Sequence, residues 1–136
     1  MKYFIASSWK NMKQVQLLTE NLSALGNEVF SYVSDKRNFV PESELKDDQE
    51  KFKNKDWKSD AEIRQLYEQD LEGLRESDVF IMLLPAGNSS HIEAGMAFAL
   101  GKKTILIGNP EKVETHYLIF QEHYQTVLDC ITAVKG

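Results

Sequence analysis

Two carboxylates stand where such side chains are seldom left without a task. Glu93 follows Gly87-Asn88-Ser89-Ser90, a small polar turn that closes the apolar run from Val79 to Leu84 at Pro85. It opens a nearly uncharged segment that ends at Gly101. Asp70 lies inside an apolar stripe, four residues after Leu66 and four before Leu74. A carboxylate on a buried side must find a partner or change its protonation behaviour. In the first turn of a helix, Glu93 is held ionised by the dipole and the nearby amides. Ionised and close to a sugar ring, it could attack the anomeric carbon and form a glycosyl-enzyme. A second reading of the same residues is structural. Ser90-His91-Ile92-Glu93 satisfies the capping-box pattern, with Glu93 turning back to the Ser90 amide, and Asp70 could bond a backbone group at the sheet edge.

The flanking elements decide which residues share a site. Lys2 to Ala6 reads as a short buried strand bounded by Ser7-Ser8. Asn11 can cap the next helix, whose Val15, Leu18, Leu22 and Leu25 share one face, and Gly26 supplies its stop. Glu28 to Val33 is a second strand, and this β-α-β order requires a parallel, right-handed crossover. Ser34 to Asp60 is an irregular, charged stretch, either a solvated loop or a lid whose Phe39 or Trp57 covers an aromatic ligand. Helical periodicity returns over Asp60 to Glu76, with Ile63, Leu66, Tyr67, Leu71 and Leu74 as the stripe. Ser77 to Leu84 is an apolar third strand, as a central parallel strand should be. A helix over 91–100 carries the small residues Ala94, Gly95, Ala97 and Ala99, and Lys103 to Ile107 is a fourth strand. Beyond the Asn109-Pro110 turn, 112–121 is expected to be helical, Tyr124 to Leu128 an edge strand, and the C-terminus a short helix.

Alternating strands and helices imply one α/β domain over residues 1–136, a flavodoxin-like three-layer sandwich on a five-stranded parallel sheet. The order expected is 2-1-3-4-5, which places the ligand crevice beyond the C-terminal ends of strands 1 and 3. The loops meeting there bring Ser7, Ser8, Trp9, Gly87, Asn88, Ser89, Ser90 and Glu93 around one crevice. Backbone amides and hydroxyls of the Gly87–Ser90 turn suit sugar hydroxyls or a phosphate. It is not a P-loop, since no GxxxxGK[ST] is present, and neither Gly87 nor Gly95 belongs to a GxGxxG.

Composition narrows the rest. The chain is 42% hydrophobic and 27% charged, in keeping with a soluble globular protein. A net charge of −5 argues against nonspecific nucleic-acid binding. Lone Cys130 excludes an internal disulfide and points to a reducing compartment. His91, His116 and His123 lack a metal-binding spacing, so neither a metal nor a cofactor is expected. No apolar run is long enough for a membrane span, and the start of the chain lacks a signal peptide, so the expected location is cytoplasmic. The run Tyr117 to Phe120 suits either a core helix or a homo-oligomer contact.

Several short motifs, in order, resemble the nucleoside 2-deoxyribosyltransferases. They are Tyr3-Phe4-x-Ala6 in the first strand, Tyr67-x-x-Asp70-Leu71-x-Gly73-Leu74-x-x-x-Asp78, and Glu93-x-Gly95 with its small-residue helix and Gly101-Lys102. The resemblance runs from residue 3 to about 108. It implies that Glu93 is the nucleophile at C1′ of a deoxyribosyl group, that Tyr3 orients its carboxylate, and that Asp70 manages the proton of the base. The small polar loop at Gly87–Ser90 departs from the transferases, which often carry an acid about six residues before the nucleophile. It is closer to the related deoxynucleoside 5′-monophosphate N-glycosidases, in which such residues meet a phosphate. The implied activity is base exchange on a small nucleoside or nucleotide. Hydrolysis of a nucleotide or NAD, or a noncatalytic nucleotide-binding module, are the alternatives.

Overall fold

In the computed structural model, which describes residues 1–33 and 52–136, five strands form one parallel sheet in the order β2-β1-β3-β4-β5. The strands are β1 (Lys2–Ser7), β2 (Glu28–Phe30), β3 (Val79–Leu83), β4 (Lys103–Ile107) and β5 (Glu122–Tyr124). Among the described residues, four helices connect and cover them: α1 (Met12–Ala24), α2 (Ala61–Glu76), α3 (Asn88–Ala99) and α4 (Val127–Lys135). This is the expected three-layer α/β fold with the expected strand order. Phe39, one of two lid candidates, lies outside the described residues; Trp57, the other, is 68% exposed ahead of α2.

The period-two alternation of β1 divides the core. Tyr3 and Ile5 share one layer with Val15, Leu18 and Leu22 of α1 and with Val127, Cys130 and Ile131 of α4. Phe4 and Ala6 face the other way, with Leu74 of α2 and Ala94 and Ala97 of α3. Rings of Phe4 and Phe30 stack there at 5.0 Å between centroids. Gly73 of α2 sits so close to Phe30 that a Cβ would fall 2.8 Å from the ring.

Five local expectations are corrected. The second strand stops at Phe30 rather than Val33. Leu25, expected on the buried face of α1, caps its end and is exposed. α3 starts at Asn88 instead of 91, because Gly87 in extended conformation is its N-cap. The stretch 112–121 holds only a 3-10 turn, Thr115–Ile119. The edge strand is Glu122–Tyr124, and the Val127 and Leu128 assigned to it belong to α4, which Thr126 starts by accepting the Asp129 amide at 3.1 Å.

Candidate active site

The crevice begins with how β1 and β3 end. Hydrogen bonds stitch the loop after β1 to the loop after β3. The Ser8 amide donates to the Pro85 carbonyl at 3.0 Å. Ser7 Oγ donates to the Leu83 carbonyl at 2.7 Å and accepts from Asn11 Nδ2 at 3.1 Å, and the same amide group of Asn11 donates to the Leu84 carbonyl at 3.1 Å. Asn11 stands at the N-cap position of α1, yet its side chain makes no capping bond and serves the neighbouring loop instead. Of the expected binding residues, Ser7 is therefore a strut between strands. Ser8 Oγ accepts the Lys10 amide at 3.3 Å and caps a short 3-10 turn, Trp9–Asn11.

Trp9 packs on Tyr32 at 4.7 Å between ring centroids, and the Tyr32 hydroxyl donates to the Ser8 carbonyl at 3.1 Å. Burial pushes the Tyr32 hydroxyl well above the usual phenol range, so it stays a donor. An aromatic wall thus stands at one side of the crevice. Nothing in the sequence signals Tyr32, which the pattern assigns to the second strand and the structure puts two residues past its end.

The loop after β3 leads into α3. Gly87, Asn88 and Ser89 are exposed, while Ser90 is buried with 6% of its surface accessible. Ser90 lies in the first turn on the side facing the sheet, along with Ala94 and Ala97. Because Gly87 is the N-cap, Ser90 is not, and the capping box expected at Ser90–Glu93 has the wrong register to form. Glu93 falls in the second turn of α3, about 7 Å of helix rise beyond Asn88.

Helix geometry fixes the direction of Glu93. The His91 ring meets Tyr117 of the 3-10 turn, with Nε2 3.0 Å from the hydroxyl. Successive helical residues are about 100° apart, so Glu93, two residues later, is turned roughly 200° from His91, to the other flank of α3. α2 packs against α3. Asp70 lies one turn before the fully buried Leu74 on α2, half-buried on its sheet-facing side. It precedes the end of its helix at Glu76 by six residues, as Glu93 precedes Ala99 by six. The two helices run into the neighbouring parallel strands β3 and β4.

Tyr3 does not join them. It was expected to orient Glu93, but it projects from the other face of the sheet, under α1 and α4. It also sits in the first half of β1, level with Val79, away from the strand ends that carry the crevice. Burial first, then the neighbouring Cys130 thiol, raise its pKa; the Lys103 charge opposes them and the Glu122 charge adds to them. Strand parity separates it from Glu93: residues 3 and 5 face one layer, 4 and 6 the other.

Among the described residues, no group of three or more His, Cys, Asp or Glu side chains is placed to hold a metal ion. No described helix is long and apolar enough to cross a membrane.

No protein-family model and no curated protein matches the chain. Its likeness to solved structures is extensive. The CMP N-glycosidase BcmB of Clostridium botulinum superposes with a TM-score of 0.64 at 20% identity, over 100% of both chains. A 2-deoxyribosyltransferase from Bacillus psychrosaccharolyticus gives 0.67 at 20% identity, over 96% of this chain and 90% of that one. A conserved protein of Enterococcus faecalis V583 gives 0.59 at 13% identity, over 99% and 97%. At these identities the likeness shows a shared fold, and that fold is the one implied by the motif resemblance to the 2-deoxyribosyltransferases.

Proposed function

We propose that the protein is an N-glycosyl enzyme of the retaining type that acts on a nucleoside or nucleotide and exchanges nucleobases on a 2-deoxyribosyl group. The observation that supports this reading is that α2, which carries the half-buried Asp70, packs against α3, which carries Glu93. A Glu93 oxygen attacks C1′ and forms a C–O bond while the C1′–N bond to the base breaks. The bonding pair leaves with the base, and Asp70 delivers the proton the base needs. In the second half a nitrogen of an incoming base displaces Glu93 from C1′, and Asp70 takes back the proton. Water in place of the second base gives hydrolysis.

Hydrolysis of a nucleoside monophosphate is the second reading. Two observations favour it: the exposed small polar residues at the start of α3, and the end-to-end overlap with a CMP N-glycosidase. The first-turn amides of a helix suit a phosphate. A chromatographic screen separates the readings. The protein is incubated with a deoxynucleoside, with a deoxynucleotide and with NAD, each with and without an acceptor base. Exchange only when acceptor is present supports transfer, and free base from the nucleotide alone supports hydrolysis. No turnover of any substrate overturns both and leaves a noncatalytic nucleotide-binding module.

A further inference from the structure

His91 and Tyr117 take no part in the chemistry above, yet together they reach into the loop that must meet the substrate. Gly87 has φ −91° and ψ −168°, an ordinary extended conformation, and a Cβ there would touch nothing within 4 Å. Neither sterics nor packing therefore holds this residue. Its carbonyl is held by two donors from one residue: the His91 amide at 3.3 Å and His91 Nδ1 at 2.7 Å. Because a carbonyl can only accept, Nδ1 must carry the proton. In the neutral ring Nε2 is then an acceptor, and the Tyr117 hydroxyl, 3.0 Å away, is its donor.

Tyr117 is itself anchored to the core. Thr104, fully buried in β4, donates its hydroxyl to the Ile119 carbonyl at 2.6 Å, and its own carbonyl accepts the Gln121 amide at 2.9 Å. The Phe120 amide closes the turn onto the Tyr117 carbonyl at 3.1 Å. A continuous line of contacts runs from the buried Thr104 of β4 through the turn and the imidazole to the N-cap of α3.

We infer that His91 and Tyr117 are positioning residues that fix the Gly87 carbonyl, and through it aim the amides of Asn88, Ser89 and Ser90 at the substrate. The effect on catalysis rests on the N-glycosyl reading above; the brace itself does not. Since His91 leaves α3 on the flank opposite Glu93, its loss acts on substrate binding more than on the chemical step.

Four proteins test this: wild type, His91→Phe, His91→Asn and Tyr117→Phe. In His91→Asn the amide nitrogen takes the place of Nδ1 and keeps the bond to Gly87. Amide hydrogen exchange tests the brace without any substrate. One hydrogen bond is worth about 1 kcal/mol, so exchange at residues 91 and 92 should quicken about fivefold to tenfold in His91→Phe, less in Tyr117→Phe, and return toward wild type in His91→Asn. Nitrogen NMR of wild type should show the Nδ1-protonated tautomer. Unchanged exchange in a folded His91→Phe, or an Nε2-protonated ring, overturns the brace. With the substrate found in the screen, KM should rise about tenfold in His91→Phe while kcat stays within about threefold. A fall in kcat at constant KM overturns the positioning role while leaving the N-glycosyl reading intact. If wild type turns over nothing, that reading fails, and hydrogen exchange still decides the brace.

Discussion

Asn11 Nδ2 donates to the Leu84 carbonyl at 3.1 Å, although the two residues stand 73 positions apart in the chain. With its bond to Ser7 Oγ, this amide joins the loops of two strands adjacent in the sheet. Asn11→Ala should cost about 1–3 kcal/mol, because it leaves the part-buried Leu84 carbonyl without this donor. Asn11→Asp should do no better, since a carboxylate only accepts. Thermal unfolding of the two variants checks this; an aspartate variant as stable as wild type would contradict it.

Glu93→Ala should abolish base exchange or base release while leaving the circular dichroism spectrum and melting temperature near wild type. Asp70→Asn should slow the reaction by on the order of 10²–10⁴-fold, the usual share of proton management. Steady-state rates on the substrate from the screen decide. Retained turnover in Glu93→Ala would remove the nucleophile from the mechanism.

Cys130 predicts a pH dependence that has nothing to do with the crevice. Burial first, then the Glu122 charge, pushes its thiol from the ordinary 9.0 to about 11. A group whose folded pKa is raised contributes stability that is complete below the unfolded value and is lost as pH climbs toward the folded one. Wild type should therefore lose stability relative to Cys130→Ala between about pH 9 and 11. Melting temperatures of both proteins across that range test it. At pH 8 the native thiol should resist a disulfide reagent and react only after denaturation.

At the acid end the sign is reversed. The bond from Lys103, and next the one from the Tyr124 hydroxyl, hold the Glu122 carboxyl below its usual range. That contribution is complete above the unfolded pKa and fades as pH falls through the folded one. The melting-temperature gap between wild type and Glu122→Gln should thus close below about pH 4. A gap that widens on acidification would mean that Glu122 is not the group responsible.

Gly73→Ala tests how tightly α2 sits on the sheet. Alanine is the better helix former by about 1 kcal/mol, but its Cβ would meet the Phe30 ring at 2.8 Å, and that ring is stacked on Phe4. Overpacking costs about 1–3 kcal/mol, so the net change should be destabilising. A higher melting temperature for this variant would show that Phe30 yields.

The sheet was legible because its central strands are uninterrupted apolar runs with one parallel solution. The edges were not. Glu122–Tyr124 is short and polar, so the more apolar Val127 and Leu128 drew the strand assignment toward them, although Thr126-x-x-Asp129 already carried a helix-start signal. Asn88 and Ser89 are turn formers by type, which hid the early start of α3. In the site, position singles out Glu93 and periodicity singles out Asp70, and their roles rest on the proposed function. Tyr3 illustrates the limit of a short motif, which gives a place along the chain and leaves the side of the strand open. Tyr32, Tyr117 and the imidazole of His91 act through partners 24 to 26 residues away, and no local pattern announces those.

The bonded loops have one more consequence. A mouth joined before any ligand arrives has little ordering left to undergo, so binding there should draw little on conformational entropy. Asn88 and Ser89 open the helix after the second loop, are exposed, and lie outside the bonds that join the loops. On the proposed function, holding and choosing thus fall to different residues, and substrate preference can drift at 88 and 89 without loosening the bonded loops.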